Sequence, residues 1–152
     1  MDISILDGAS DGPGLGTLLE QARASVRGGR PSEARRTCET LVETHPEQPD
    51  GWYLLGMTAL RDGELDTAHT HLSRAVEMRR GYAPYRVALG QALRKLDDPE
   101  GAERQFREAW TLDPSSHEAA FGLAITLATR GQRSDAAQVS ASSRARSAEA
   151  VV

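Results

Sequence analysis

Asparagine is absent from the 152 residues, cysteine and lysine occur once each, and aromatic residues make up only 5%. The lone Cys38 cannot close an internal disulfide, so nothing in the chain asks for an oxidising compartment. No stretch approaches the ~18 uninterrupted apolar residues of a membrane-spanning helix. The opening Met1-Asp2-Ile3-Ser4-Ile5-Leu6-Asp7 has neither the basic nor the long apolar region of a signal peptide. Charge of one sign is also scarce: 18 basic and 22 acidic side chains leave −4, too little for a polyanionic tail and the wrong sign for a nucleic-acid binder. A cytoplasmic protein with no nucleic acid and no membrane among its partners is the expectation. Seventeen arginines beside the single Lys95 fit the codon bias of a GC-rich, bacterial genome. With 39% hydrophobic residues, a chain of this length buries roughly two-thirds of its unfolded surface, enough for one domain.

What is present is a repeat. Ala34, Ala68, Ala102 and Ala136 are spaced by 34 residues, and the same step relates Gly29, Gly63, Asp97 and Gly131. It also relates Ala22, Gly56, Gly90 and Ala124, and Leu41, Ala75, Ala109 and Ser143. Four units follow, 15–48, 49–82, 83–116 and 117–150, behind a leader at 1–14 whose glycines and Pro13 predict disorder.

Each unit reads as two helices about a tight turn. Trp52, Leu55, Gly56 and Ala59 recur at helical spacing, and Gly63 then supplies a residue at ease with positive φ. Second helices open on Pro31-Ser32-Glu33, Glu64-Leu65-Asp66, Asp98-Pro99-Glu100 and Ser134-Asp135, where acidic groups meet the positive end of the helix dipole. His45-Pro46 and Asp113-Pro114 end units, because proline disfavours helical backbone in the residue before it. The 34-spaced Gly and Ala permit close helix approach, while Trp52, Leu55, Leu72, Phe106, Leu123 and Cys38 fill the gaps beside them. The last second helix, rich in Ala, Ser, Gln and Arg with Val139 nearly its only bulky apolar group, is expected to end the stack as a frayed, degenerate cap.

Trp52, Leu55, Gly56, Ala68, Leu72 and Ala75, with Leu89, Gly90, Ala102, Phe106, Ala109 and Pro114 one unit later, resemble the tetratricopeptide repeat motif. The aromatic that the family often carries late in the first helix is replaced by Ser25, Ala59, Leu93 and Leu127. The resemblance implies an all-α, right-handed superhelical solenoid of four helix hairpins, with first helices lining a concave face. It implies protein interaction as a scaffold, adaptor or chaperone-like subunit. Alternatively, the repeats are the recruitment segment of a modular bacterial sulfotransferase or glycosyltransferase. Some family members grip a chaperone's C-terminal carboxylate with lysine, asparagine and arginine. A chain without asparagine, holding Leu19 and Arg23 or Tyr53 and Met57 at the starting places, is not expected to do so.

One row of each first helix, at i, i+4 and i+8, shares a face. Through the units it reads Leu19-Arg23-Arg27, Tyr53-Met57-Arg61, Val87-Gln91-Lys95 and Phe121-Ile125-Thr129. Its upper part is apolar, with Leu54 alongside; its lower part is a basic ladder of Arg27, Arg61 and Lys95, with Arg94 and Arg130 adjacent. A peptide or protein held by apolar anchors on one edge and acidic groups on the other is the expected partner. Dipole stabilisation of cations at helix C-termini is the competing explanation of the ladder. Leu15, Leu18 and Ala22 at the front add self-association as an expectation.

No catalytic chemistry is legible. His69 and His71 point to different sides of a helix, His45 and His117 sit at unit boundaries, and Cys38 lies on a core face. Gly12-Pro13-Gly14-Leu15-Gly16 follows no strand and offers no lysine for phosphate. No catalytic residue, metal or cofactor is expected.

Overall fold

A computed structural model describes residues 12–151, so most of the expected leader lies outside the described residues. Among them are eight helices: α1 Leu15–Arg27, α2 Pro31–Thr44, α3 Pro49–Asp62, α4 Leu65–Met78, α5 Ala83–Lys95, α6 Pro99–Leu112, α7 His117–Thr129 and α8 Arg133–Glu149. Pro31, Pro49 and Pro99 open helices with a pre-set φ and no orphaned N–H. Asp98 accepts from the Gly101 N–H and Ser116 from the Ala119 N–H, each closing one of the free donors of a first turn. Within each hairpin the turn passes through one left-handed residue, Gly29, Gly63, Asp97 and Gly131, at φ of 66°, 80°, 61° and 82°.

Every helix packs on the next, and the first helices also touch one another in the series α1, α3, α5, α7. The second helices make no such mutual contacts among the described residues. A layer whose members touch, backed by one whose members are spread apart, must curve toward the first. The first helices therefore line the inside of the solenoid.

Ala34, Ala68 and Ala102 are fully closed off between helices. A Cβ placed on Gly56 would stand 2.7 Å from Leu72 Cγ, so the crossing of α3 over α4 admits nothing larger than hydrogen. Leu72, Phe106 and Leu123 fill the hairpin interiors, each contributing about 1.5–3 kcal/mol of burial.

The junctions between hairpins carry charge as well. Arg35 of α2 donates to Asp62 at 2.6 Å and to Glu64 at 2.9 and 3.1 Å, across to the α3–α4 turn. Two repeats on, Glu103 of α6 pairs with Arg130 after α7, the same places with their signs exchanged. His69 and Leu96 occupy them at the middle junction and form no bridge.

The last helix is regular despite its degenerate composition. α8 is continuous over 17 residues, although only Ala136 and Val139 of it are buried. Alanine and arginine favour helix, Ser140 and Ser147 return their hydroxyls to carbonyls one turn back, and Arg146 lies over the Trp110 ring at 4.9 Å.

Candidate functional site

The inner surface is built by the first helices, and its top edge begins with tyrosines. The Tyr53 ring stacks on Tyr85 with centroids 5.0 Å apart, and Tyr82 meets Tyr85 edge-on at 4.6 Å. The Tyr85 hydroxyl donates to Asp50 Oδ1 at 2.5 Å, and Arg23 approaches the other oxygen of that carboxylate at 3.5 Å. Burial pushes the Tyr85 hydroxyl up, reinforced by its bond to Asp50; burial, then the charge of Glu118, raises Tyr53. Both phenols stay protonated and neutral. Tyr53 is half-buried by this arrangement and presents only part of its ring.

Leu54 and Val87 leave the expected apolar row. Leu54 is 6% exposed, closed with Ala22, Cys38 and Leu55 at the first junction, and Val87 is 4% exposed beneath Ala119 and Ala120 of α7. The reason is stacking: the 34-residue period specifies a face but not the helix that lies over it. Phe121, at the place equivalent to Val87, is 68% exposed because no described helix follows α7 on that side. Met57, Gln91 and Ile125 form the middle row, each half-buried and one repeat apart.

Below them lie the exposed cations Arg27, Arg61, Arg94 and Lys95. Among the described residues none of the four has a carboxylate within 4.0 Å. Arg61 donates to the Val26 carbonyl at 2.7 Å, so it closes the last turn of α1 in the manner the dipole explanation requires. Arg130 is withdrawn from the ladder by Glu100 and Glu103. What remains is an inner surface with partly exposed Tyr53, Met57 and Ile125 above and Arg27, Arg94 and Lys95 below.

A tetratricopeptide family model, Protein kinase G tetratricopeptide repeat, matches residues 4–150. The chain belongs to this family. Among relatives, the TPR repeat-containing protein PA4299 of Pseudomonas aeruginosa is 32% identical over 124 residues, which cover 82% of this tetratricopeptide chain and 50% of that protein. The chain thus spans half the length of that relative. Solved structures share the architecture: MamA, at TM-score 0.82 and 18% identity, over 90% of this chain and 80% of that one. TTC0263, a thermophilic TPR protein of Thermus thermophilus, gives 0.76 and 22% identity over 91% and 81%. An O-GlcNAc transferase mutant of Thermobaculum terrenum gives 0.72 and 29% identity over 74% of this chain but 22% of that protein.

Elsewhere the tetratricopeptide chain offers little reactive chemistry. Burial pushes the Cys38 thiol up to about 11, which leaves it a protonated packing group at neutral pH. Among the described residues no three His, Cys, Asp or Glu side chains converge on a point where a metal could sit. His71 packs on Trp52 with centroids 5.6 Å apart, and His45 Nδ1 lies 2.8 Å from Thr44 Oγ1. No described helix is long and apolar enough to cross a membrane. Tyr85, central to the upper edge, carries no signal in the repeat, since its equivalents are Thr17, Gly51 and Ala119.

Proposed function

We propose that this chain is a protein-interaction module that holds an acidic, amphipathic peptide segment on its inner surface. The tetratricopeptide fold supports protein–protein interaction through such concave surfaces. The carrying observation is the line of Arg27, Arg94 and Lys95, exposed and free of carboxylates among the described residues, beside Met57 and Ile125. Arginine's planar fork grips a carboxylate through two hydrogen bonds, and the half-buried apolar row gives the segment something to lie on.

Fluorescent amphipathic peptides with a glutamate edge, and counterparts with lysine there, test this by anisotropy. The glutamate series binds, binding weakens as salt rises, and Arg94→Glu with Lys95→Glu weakens it further at unchanged helical content. Equal binding of both series overturns the reading.

A second reading is favoured by the length relation to the Pseudomonas protein and by the transferase likeness, which covers only a fifth or so of that enzyme. In it, the repeats recruit substrates for a catalytic domain of a longer protein. Detecting the protein in native cells at a mass well above 16.4 kDa supports it, and a species of that mass alone overturns it.

A further inference from the structure

Each first helix is roofed, on its upper inner edge, by the next. Leu19 packs against the cluster of Leu54 and Leu55 in α3, Tyr53 is stacked by Tyr85 of α5, and Val87 is closed by Ala119 and Ala120 of α7. Phe121 holds the same place one repeat after Val87 and is 68% exposed.

The floor under each roofing helix is periodic too. A Cβ on Gly51 of α3 would meet Leu41 and Val42 of α2 at 3.1 and 3.2 Å, and one on Gly122 of α7 would strike the Phe106 ring of α6. Moving Leu41 and Val42 on by three repeats, and Phe106 by one, gives Ser143, Arg144 and Ser140. These three residues, with His117, Ala120 and Phe121, line an open groove of about 220 Å³. The groove is the seat of a first helix, unfilled among the described residues.

This seat is chemically unlike the earlier ones. Ser140 stands where Cys38, Leu72 and Phe106 stand before it, and Arg144 where Val42, Val76 and Trp110 do. A helix resembling α3 or α5 would set Leu54 or Ala88 on these polar groups and leave Arg144 unanswered. The helix that fits brings a hydroxyl and a carboxylate. α1 has that surface: at the places where α3, α5 and α7 face the hairpin before them, it carries Thr17, Glu20 and Ala24, all exposed. Seated by the same repeat operation, Thr17 lies above Ser143 and Arg144, and Glu20 lies above Ser140, one turn from Arg144. Among the described residues Glu20 is otherwise held only by a 3.5 Å approach to Arg23, with its side chain 71% exposed.

The geometry points to head-to-tail self-association, in which α1 and α2 of one molecule continue the stack on α7 and α8 of another. Phe121 is covered by α1, and Glu20 meets Arg144. The contact is heterologous, so each molecule keeps one free end and assembly grows with concentration instead of stopping at a dimer. Its polar seat makes it a weak contact, of the transient class. It centres on Phe121 at the upper inner edge, whereas the peptide surface uses the middle and lower inner rows.

Sedimentation velocity from micromolar to millimolar protein tests it with a tail-blocked variant, Phe121→Asp, and a head-blocked one, Ala24→Arg. The unaltered chain sediments faster as concentration rises. Each variant alone stays monomeric, its dissociation constant raised by more than about tenfold, with an unchanged circular dichroism spectrum. Their mixture, which contains one sound head and one sound tail, gives a 1:1 dimer and nothing larger. Glu20→Arg weakens association several-fold, and adding Arg144→Glu restores it. An unaltered chain that stays monomeric throughout overturns the proposal, as does a head-blocked variant that dimerises by itself, which would mean tail-to-tail contact.

Discussion

Asp97 adopts a backbone that glycine adopts at the equivalent place in the three other hairpins, with φ of 61°. The left-handed region costs a residue with a Cβ roughly 1–2 kcal/mol, and glycine's greater freedom when unfolded gives back about 0.5–1 kcal/mol of that advantage. Asp97→Gly is therefore expected to stabilise the chain by about 0.5–1 kcal/mol, a rise in Tm of ~1–4 °C, measured by thermal circular dichroism. Gly131→Ala, at φ of 82°, should move Tm the other way. A fall in Tm for Asp97→Gly would show that the aspartate side chain earns its place in the turn. That Asp97 must turn the chain was legible in the sequence, because the turn is a property of the backbone and every residue at that step must adopt it. The role of Tyr85 was not. It depends on which side chains lie opposite, Tyr53 and Asp50, and these vary from junction to junction.

At the scale of helices, the places and lengths of α1 to α7 follow from prolines, turn glycines and the 34-residue step, all local signals. The charge bridges between hairpins are not local. Arg35 with Asp62, and Glu103 with Arg130, lie 27 residues apart with exchanged signs, and the equivalent places at the middle junction hold His69 and Leu96, so no period reveals them. Hydrogen bonding from Arg107, against the cost of burial and with Arg130 assisting, holds Glu103 below the usual carboxylate range. A depressed carboxylate contributes stability that is present above its unfolded pKa and is lost as pH falls through its folded value. The bridge should therefore weaken on acidification below the ordinary range for glutamate. In urea denaturation at neutral pH, Glu103→Arg or Arg130→Glu alone is expected to cost about 0.5–1 kcal/mol, with partial solvent screening. The double exchange should recover much of this, less what Arg107 then loses. A double-mutant cycle with no coupling would reduce the bridge to a surface contact.

For the whole molecule, the decisive fact is that, among the described residues, each hairpin touches only the hairpins beside it in sequence. The count of four hairpins followed from periodicity and their curvature from the tetratricopeptide resemblance, yet Val87 and Phe121 occupy one repeat position and differ from 4% to 68% in exposure. A period describes every unit alike, whereas burial depends on whether a next helix is there. The same reasoning orders stability along the chain. α3 to α6 have a hairpin on both sides and hold most of the buried large groups, including Leu55, Leu72, Tyr85 and Phe106. α8 buries only Ala136 and Val139, and α1 carries the buried Ser25 hydroxyl without a hydrogen-bond partner among the described residues. In a stack stabilised by nearest-neighbour contacts, ends open without the middle. Native-state hydrogen exchange should show amides of α8, then α1, exchanging at least about tenfold faster than those of α3 to α6, which is ~1.4 kcal/mol less opening free energy. If all eight helices instead exchange at one rate, the chain unfolds as a single unit, and coupling between hairpins exceeds what the small-residue contacts at the junctions account for.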